Sequence, residues 1–97
     1  MARLNFQWTA PTARTDGSDL GATPITYRLY EDGTEVVRNI AEPNFTLTDI
    51  GLGSKVYTVT SFDETTGLES APSAPVTVSF VKPLAPTNLQ ARVLVDL

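Results

Sequence analysis

The chain contains neither cysteine nor histidine. The absence of cysteine excludes disulfide bonds and thiolate metal sites, and it leaves the redox compartment open. The absence of histidine removes the most common general base and the most common transition-metal ligand. Enzymatic chemistry would have to depend on carboxylates, hydroxyl groups and lysines, so we expect a non-enzymatic protein with no catalytic, cofactor-binding or metal-binding residues.

Long apolar runs and clusters of positive charge are also missing. No segment approaches membrane-spanning length, and the first residues, MARLNFQWTAP, contain no apolar stretch of signal-peptide length. If Met1 is the natural start, this favours a small protein that is made and left in a cytoplasm. Seven Lys and Arg are scattered singly against eleven Asp and Glu. We therefore expect no nucleic-acid partner and no membrane partner.

What the sequence has is alternation of apolar and polar residues. Its 97 residues, 41% of them hydrophobic, suffice for one domain with one core. No helical period persists beyond one turn, and turn-forming residues separate the alternating segments. Asp32-Gly33 is a favourable two-residue hairpin turn, because both central positions of that turn need positive φ. Pro72 and Pro75 precede a short valine strand, which should lie at a sheet edge because proline cannot donate to a ladder.

This pattern predicts an all-β sandwich of two antiparallel sheets, with a single domain over residues 1–97. The predicted strands lie within ARLNFQWTA, PITYRLY, TEVVRN, NFTLTDI, SKVYTVTSFDE, PVTVSF and LQARVLVDL. The predicted structural core consists of Trp8, Tyr27, Leu29, Tyr57 and Val59.

Four spaced elements resemble a fibronectin type III domain, a seven-stranded immunoglobulin-like sandwich. They are FQWTAP around Trp8, Tyr27 with Leu29 two residues on, IGLGSKVYTVTSFD with Tyr57, and LESAPSAP. The resemblance covers residues 4–80, and WTAPTARTDGSDLG is similar to microbial and bacteriophage versions. It implies that the Tyr57 hydroxyl bonds to the backbone, although the corner before this tyrosine lacks the family's proline and is one residue longer.

The order of the strands departs from the family. No Pro-x-x-Pro-x-x-Leu segment precedes Trp8, but PLAPTNLQARV near the other end resembles that missing first strand. We therefore divide the domain into a sandwich body over residues 2–81 and a C-terminal strand over residues 82–97. The residues expected to form the terminal-strand interaction are Pro86, leading into the strand, and the inward-facing Leu89, Ala91, Val93 and Val95.

Three arrangements of this tail stay open at the level of sequence. The tail can fill the first-strand position of its own domain, which gives a circularly permuted monomer. It can fill the same position in a neighbouring copy, which gives strand exchange. It can also be the beginning of a second domain.

Two oxygen-rich segments have simple structural explanations beside functional ones. Asp16, Ser18 and Asp19 in TDGSDLG resemble part of a calcium loop, but the later bidentate Glu is missing and Asp-Gly is more simply a turn. Glu64 and Glu69 flank TTG and could be an acid pair, although a solvated loop explains them better. Neither segment changes the expectation of a protein without metal or catalysis.

The resemblance implies a structural or interaction module. The first hypothesis is an accessory protein of a bacteriophage virion, in the decoration, neck or tail, whose partners are other virion proteins or copies of itself. The alternative is a module that binds glycans or a cell surface through the loop over residues 11–24. This loop contains no aromatic platform for a sugar. An engineered, deliberately permuted scaffold ranks last, because the loops are not idealised.

Overall fold

A computed structural model of the chain describes residues 3–48 and 50–95. Within these residues there are seven strands and no helix, and so no helix with the length and apolar character needed to span a bilayer. The strands are β1 (Arg3–Gln7), β2 (Ile25–Glu31), β3 (Thr34–Ile40), β4 (Asn44–Thr48), β5 (Gly53–Asp63), β6 (Leu68–Glu69) and β7 (Val76–Phe80).

The strands form two antiparallel sheets. In the small sheet β1 pairs with β4, and the register sets Leu4 opposite Leu47 and Phe6 opposite Phe45. Side chains of a strand alternate between the two faces, so this register gathers the apolar residues of both strands on one face. The large sheet has the order β3-β2-β5, and β6 and β7 pair with successive parts of β5.

The turn between β2 and β3 is the one expected from the sequence. Asp32 and Gly33 have φ values of 49° and 82°, in the left-handed region that the tight hairpin turn requires. The Asp32 carboxylate also accepts a 2.9 Å hydrogen bond from the backbone N–H of Val56 on β5. The hairpin prediction is confirmed.

Proline interrupts the last edge of the large sheet. Between β6 and β7 the chain follows β5 through two backbone bonds, from Ser70 N–H to the Ser61 carbonyl (2.8 Å) and from Ser73 N–H to the Val59 carbonyl (2.9 Å). Pro72 lies between these two donors and has no N–H of its own. β7 then pairs only with β5, so the expectation of an edge strand is confirmed.

The core lies between the two sheets. Tyr27, Leu29, Ile40 and Tyr57 are its buried hydrophobic residues, and half-buried side chains of the small sheet pack against them. Of the five predicted core residues, Tyr27, Leu29 and Tyr57 are buried, while Trp8 and Val59 are half-buried at its margin. An all-β chain with seven strands in two sheets is thus confirmed.

The strand predicted over LQARVLVDL does not form over residues 89–95, and its last two residues lie outside the described residues. Residues 81–95 belong to no strand and are exposed throughout, and the seventh strand is instead the two-residue β6. The chain measures 84 × 21 × 19 Å along its principal axes. Fifteen extended residues span about 50 Å at ~3.3 Å each, so the C-terminal tail accounts for more than half of the long dimension. Among the described residues the tail pairs with no other strand.

An ion pair fastens the long loop over residues 11–24 to the large sheet. The Arg14 guanidinium donates to the Asp63 carboxylate at 2.7 Å, and the backbone N–H groups of Thr65 and Thr66 donate to the other carboxylate oxygen. Asp63 is buried, with 6% of its surface exposed. The bond from Arg14, assisted by the two N–H groups, lowers the pKa of Asp63 to about 2.

We expect Asp63 to make the protein acid-labile between about pH 4 and pH 2. A carboxyl group whose pKa is lower in the folded state stabilises the fold above its unfolded pKa, and this stabilisation is lost as pH falls through the folded value. Asp63→Asn should therefore lower Tm by several degrees at neutral pH, and the difference should shrink towards pH 2. Thermal melts across this range measure it, with Glu42→Gln, in an exposed loop, as the control for net charge. An equal Tm difference at every pH would contradict the assignment.

Candidate functional site: an open strand edge and an unpaired tail

Strand β1 has a free edge. It pairs with β4 on one side, and no described residue pairs with its other side. A free edge exposes a row of N–H and C=O groups that can template a further strand. Leu4 and Phe6, on its inner face, are only half-buried. The small sheet thus lacks both the hydrogen bonds and the apolar cover that a third strand would give it.

An open groove follows this free edge into the core. Its volume is about 220 Å³, and it separates β1 from the start of β7 and the residues just before it. The side chains that line it are mostly apolar: Phe6, Trp8, Leu29, Tyr57, Val59 and Val76. Apolar side chains entering the groove would complete the core from its open side.

Trp8 stands in the groove with an unsatisfied donor. Its ring packs edge-on against Tyr27, with the ring centroids 5.2 Å apart. The indole Nε1 is buried and has no hydrogen-bond partner among the described residues. Leaving a buried donor unpaired costs about 1–3 kcal/mol. Trp8 therefore carries an unsatisfied buried donor at the end of β1.

Tyr57 closes the inner end of the groove. Its ring lies 4.9 Å from the ring of Phe6, centroid to centroid, and its hydroxyl donates a 2.9 Å bond to the Glu31 carboxylate. The partner is a side chain, whereas the resemblance implied a backbone acceptor. Burial, reinforced by the bond to Glu31, raises the pKa of Tyr57 to about 12.

We expect alkaline unfolding to be linked to Tyr57. A group whose pKa is raised on folding stabilises the fold below its unfolded pKa, about 10 for tyrosine, and this stabilisation is lost as pH rises through the folded value. Stability should fall between about pH 10 and pH 12, and the ultraviolet absorbance of tyrosinate should rise over the same range. Tyr57→Phe should cost about 0.5–1.5 kcal/mol at neutral pH through the lost hydrogen bond and should flatten the alkaline loss. An unchanged alkaline profile in this variant would contradict the link.

The predicted terminal-strand residues all lie in the exposed tail. Leu89 is 97% exposed, Val93 84% and Val95 67%, and Ala91 and Pro86 are exposed as well. Scattered exposed apolar residues are ordinary, but an extended segment with an apolar residue at every second position is not. The chain thus carries both an uncovered groove and an uncovered strand-forming segment.

A second groove lies beside the loop over residues 11–24. It measures about 370 Å³ and is lined by Arg14, Asp16, Asp63 and Glu69 together with small and apolar side chains. The loop holds itself together: Asp16 accepts from the N–H and hydroxyl of Ser18, and Asp19 accepts from the Gly21 N–H. The oxygen-rich TDGSDLG segment thus uses its Asp16 and Asp19 carboxylates to hold its own turns. No group of three acidic side chains that could hold a metal ion occurs among the described residues.

Glu64 and Glu69 serve separate bonds. Glu64 accepts from the Thr26 hydroxyl at 2.7 Å, whereas Glu69 accepts from Tyr30, Thr60 and Arg28. Hydrogen bonds from the hydroxyls of Tyr30 and Thr60 lower the pKa of Glu69. The hydrogen bond to Glu69 in turn raises the pKa of Tyr30.

The sequence analysis did not predict a cluster of polar and aromatic side chains on one face of the large sheet. Its members are Arg28, Tyr30, Thr60, Phe62 and Glu69. The Arg28 guanidinium lies 4.0 Å from the centre of the Phe62 ring, beside its contacts with Glu69. The signal was the alternation that sets Arg28, Tyr30, Thr60 and Phe62 on one face of paired strands. The internal bonding of these residues indicates a role in holding the sheet together.

Comparison with known proteins adds no relative, since no protein family, no curated protein and no solved structure matches this chain.

Proposed function

We propose that this chain is a non-enzymatic structural and interaction module that assembles through its β-sandwich and its terminal strand. One observation carries the proposal: the same chain has an apolar groove along an unpaired strand edge and an exposed, alternating apolar tail. Adding a strand to a free edge supplies main-chain hydrogen bonds, and alternate side chains fill the pockets beside it. The residues assigned to this role are Pro86, Leu89, Ala91, Val93 and Val95.

The strand order supports the resemblance to a permuted or strand-exchanged fibronectin type III domain. In that family the first strand lies beside the second, which carries the Trp, and the fifth strand lies on the other side. Here β1, which leads to Trp8, has β4 on one side and no strand of the described residues on the other. The vacant position is therefore the one that the family's first strand would take, and PLAPTNLQARV resembles that strand.

We assign the module to a bacteriophage virion, as an accessory protein of the decoration, neck or tail. A segment that locks one subunit to another suits repetitive assembly, and the net charge of −4 helps to keep free subunits soluble before assembly. The partners are other virion proteins or copies of the chain itself, and the assignment involves no cofactor, nucleic acid or membrane.

The assignment predicts that a bacteriophage encodes this chain, and purified particles of that phage test it. Quantitative mass spectrometry should find the protein at a fixed, high copy number, and recombinant protein should rebind particles from which it has been stripped. A protein found only in the soluble fraction of infected cells would contradict the virion role.

Glycan or cell-surface binding through the loop over residues 11–24 is the second candidate function. The observation that favours it is the groove beside the loop, where Arg14 and Glu69 offer hydrogen bonds to hydroxyl groups. The absence of an aromatic residue from the loop ranks it second. Addition of sugars should shift the NMR signals of loop residues if it is correct, and unshifted spectra at saturating sugar would contradict it.

A further inference from the structure

We infer that the strand missing beside β1 is the C-terminal tail of a second copy of this chain, bound antiparallel and starting at Trp8. The inference rests on the proposed function and deepens it by naming the partner, the direction and the register. The interface joins two different surfaces, the groove of one copy and the tail of the next.

The direction of β7 relative to β1 follows from the core contacts. Phe6 packs on Tyr57 near the start of β5, and Trp8 packs on Tyr27, which pairs with Ser61 near the end of β5. Strand β1 therefore runs in the same direction as β5. Because β7 is antiparallel to β5, it is also antiparallel to β1, and it leaves the sandwich at the end where β1 begins.

This exit lies at the wrong end for the chain's own groove. An antiparallel partner of β1 must start at the Trp8 end and run towards Arg3, whereas the tail departs near Arg3 and leads away from the body. To close on itself, the tail would have to turn back and retrace its own sandwich before pairing. A copy stacked end to end presents its Trp8 end to the departing tail, and no reversal is needed.

The first residues of the tail oppose a reversal. Pro83 and Pro86 fix φ near −65°, and each restricts the residue before it to extended conformations. The described tail has one residue with left-handed φ, Asn88 at 58°, which separates the proline segment from the apolar run. The prolines thus act as a stiff spacer that carries Leu89 away from its own body.

One register pairs all five residues of β1 with the apolar run. It sets Leu89 opposite Trp8, Ala91 opposite Phe6 and Val93 opposite Leu4. The small Ala91 then faces the ring of Phe6, which already fills its part of the core against Tyr57. Pro86 falls outside the paired stretch, so its missing N–H costs no ladder bond.

The same register covers the indole of Trp8. Trp8 lies where the added strand enters, and it is only half-buried in the separate chain. In this register Leu89 lies directly opposite Trp8 and shields its ring from the open side. On the other face, Gln90 lies opposite Gln7, and both side chains are exposed in the separate chain.

In an end-to-end stack each contact uses one groove and one tail, so a pair still has one free groove and one free tail. A heterologous contact of this kind propagates into a filament or closes into a ring. Association should therefore rise with concentration.

Disulfide trapping tests the inference directly, because the chain has no cysteine of its own. Gln7→Cys and Gln90→Cys are made in separate chains, mixed and oxidised, and a bis-maleimide linker is used in parallel to tolerate a slip in register. We expect a covalent dimer that joins one chain of each kind, because residues directly opposite in antiparallel strands have Cβ atoms about 4.5–5.5 Å apart. The matched control mixes Gln90→Cys with Val36→Cys, whose site is 42% exposed on β3, at the far edge of the large sheet. The control should give no more than background.

The outcomes separate this inference from the proposed function. A chain that carries both cysteines and yields only internally linked monomer would overturn the second copy as partner and leave a self-closing module. If neither the mixed single-cysteine chains nor the chain with both cysteines forms a cross-link, the assignment of the tail to this groove is overturned. Trapped dimers from a protein that is absent from phage particles would uphold the pairing and overturn the virion role.

Discussion

Deleting residues 84–97 is expected to convert a concentration-dependent assembly into a monomer of constant mass and to lower Tm by more than about 10 °C. Full burial of a Leu or Val side chain contributes about 1.5–3 kcal/mol, and the tail carries Leu89, Val93 and Val95 into the groove. For a domain of this size, 1 kcal/mol corresponds to about 4–8 °C in Tm. Light scattering gives the mass, and the fluorescence of the single tryptophan follows the melt. An unchanged Tm and an unchanged mass would show that the tail has no place in the sandwich.

A pair of double variants tests which face of the tail enters the groove. Leu89→Asp with Val93→Asp adds two carboxylates on the inward face, and we expect it to reproduce the deletion. Gln90→Asp with Leu94→Asp adds the same charge on the outward face, and we expect it to keep most of the assembly. Both variants add two carboxylates, four residues apart, in the same part of the tail. They differ in the face of the strand on which the new carboxylates lie. Equal loss in both variants would contradict the proposed register.

Leu29→Ala is expected to cause a large loss of stability, about 3 kcal/mol within a usual range of 2–5 kcal/mol. Leu29 is 1% exposed, at the middle of a buried core of four hydrophobic residues, and it also lines the floor of the groove. Strand β2, which carries Leu29, is paired on both sides, with β3 and with β5, so its backbone has little freedom to close the cavity. The corresponding fall in Tm is about 12–24 °C.

Urea unfolding at one protein concentration measures the Leu29→Ala effect. Val36→Ala is the matched control, because Val36 lies on the adjacent strand β3 but is 42% exposed. The control should change the free energy of unfolding by less than about 0.5 kcal/mol. A loss of less than about 1 kcal/mol in Leu29→Ala would contradict a core centred on this residue.

The sequence allowed the strands and the sheet edges to be predicted where local chemistry decides them. Alternation located β1, β2 and β4, and the Asp32-Gly33 pair located the hairpin because few residues tolerate positive φ there. The two prolines after β6 located an edge, since their missing donors exclude a central strand. These features depend on neighbours along the chain and not on distant contacts.

Contacts between segments that are distant along the chain could not be predicted from the sequence. The bond from Tyr57 to Glu31 and the clamp of Arg14 on Asp63 depend on which strands become neighbours, and alternation does not specify that. The tail shows that alternation alone does not make a strand. Its apolar residues alternate as in a strand, but its described residues form none. A strand needs a neighbour to pair with, and alternation does not specify that neighbour. The alternation predicted that the tail can form a strand, and the directions of β1 and β7 point to a second copy of the chain as its partner.

The absolute mass in solution, measured by light scattering across a wide concentration range, tests the central claim most directly. Tail exchange between copies predicts a mass above 10.5 kDa that rises with concentration and falls back to the monomer on deletion of residues 84–97. A constant 10.5 kDa at every concentration would contradict it.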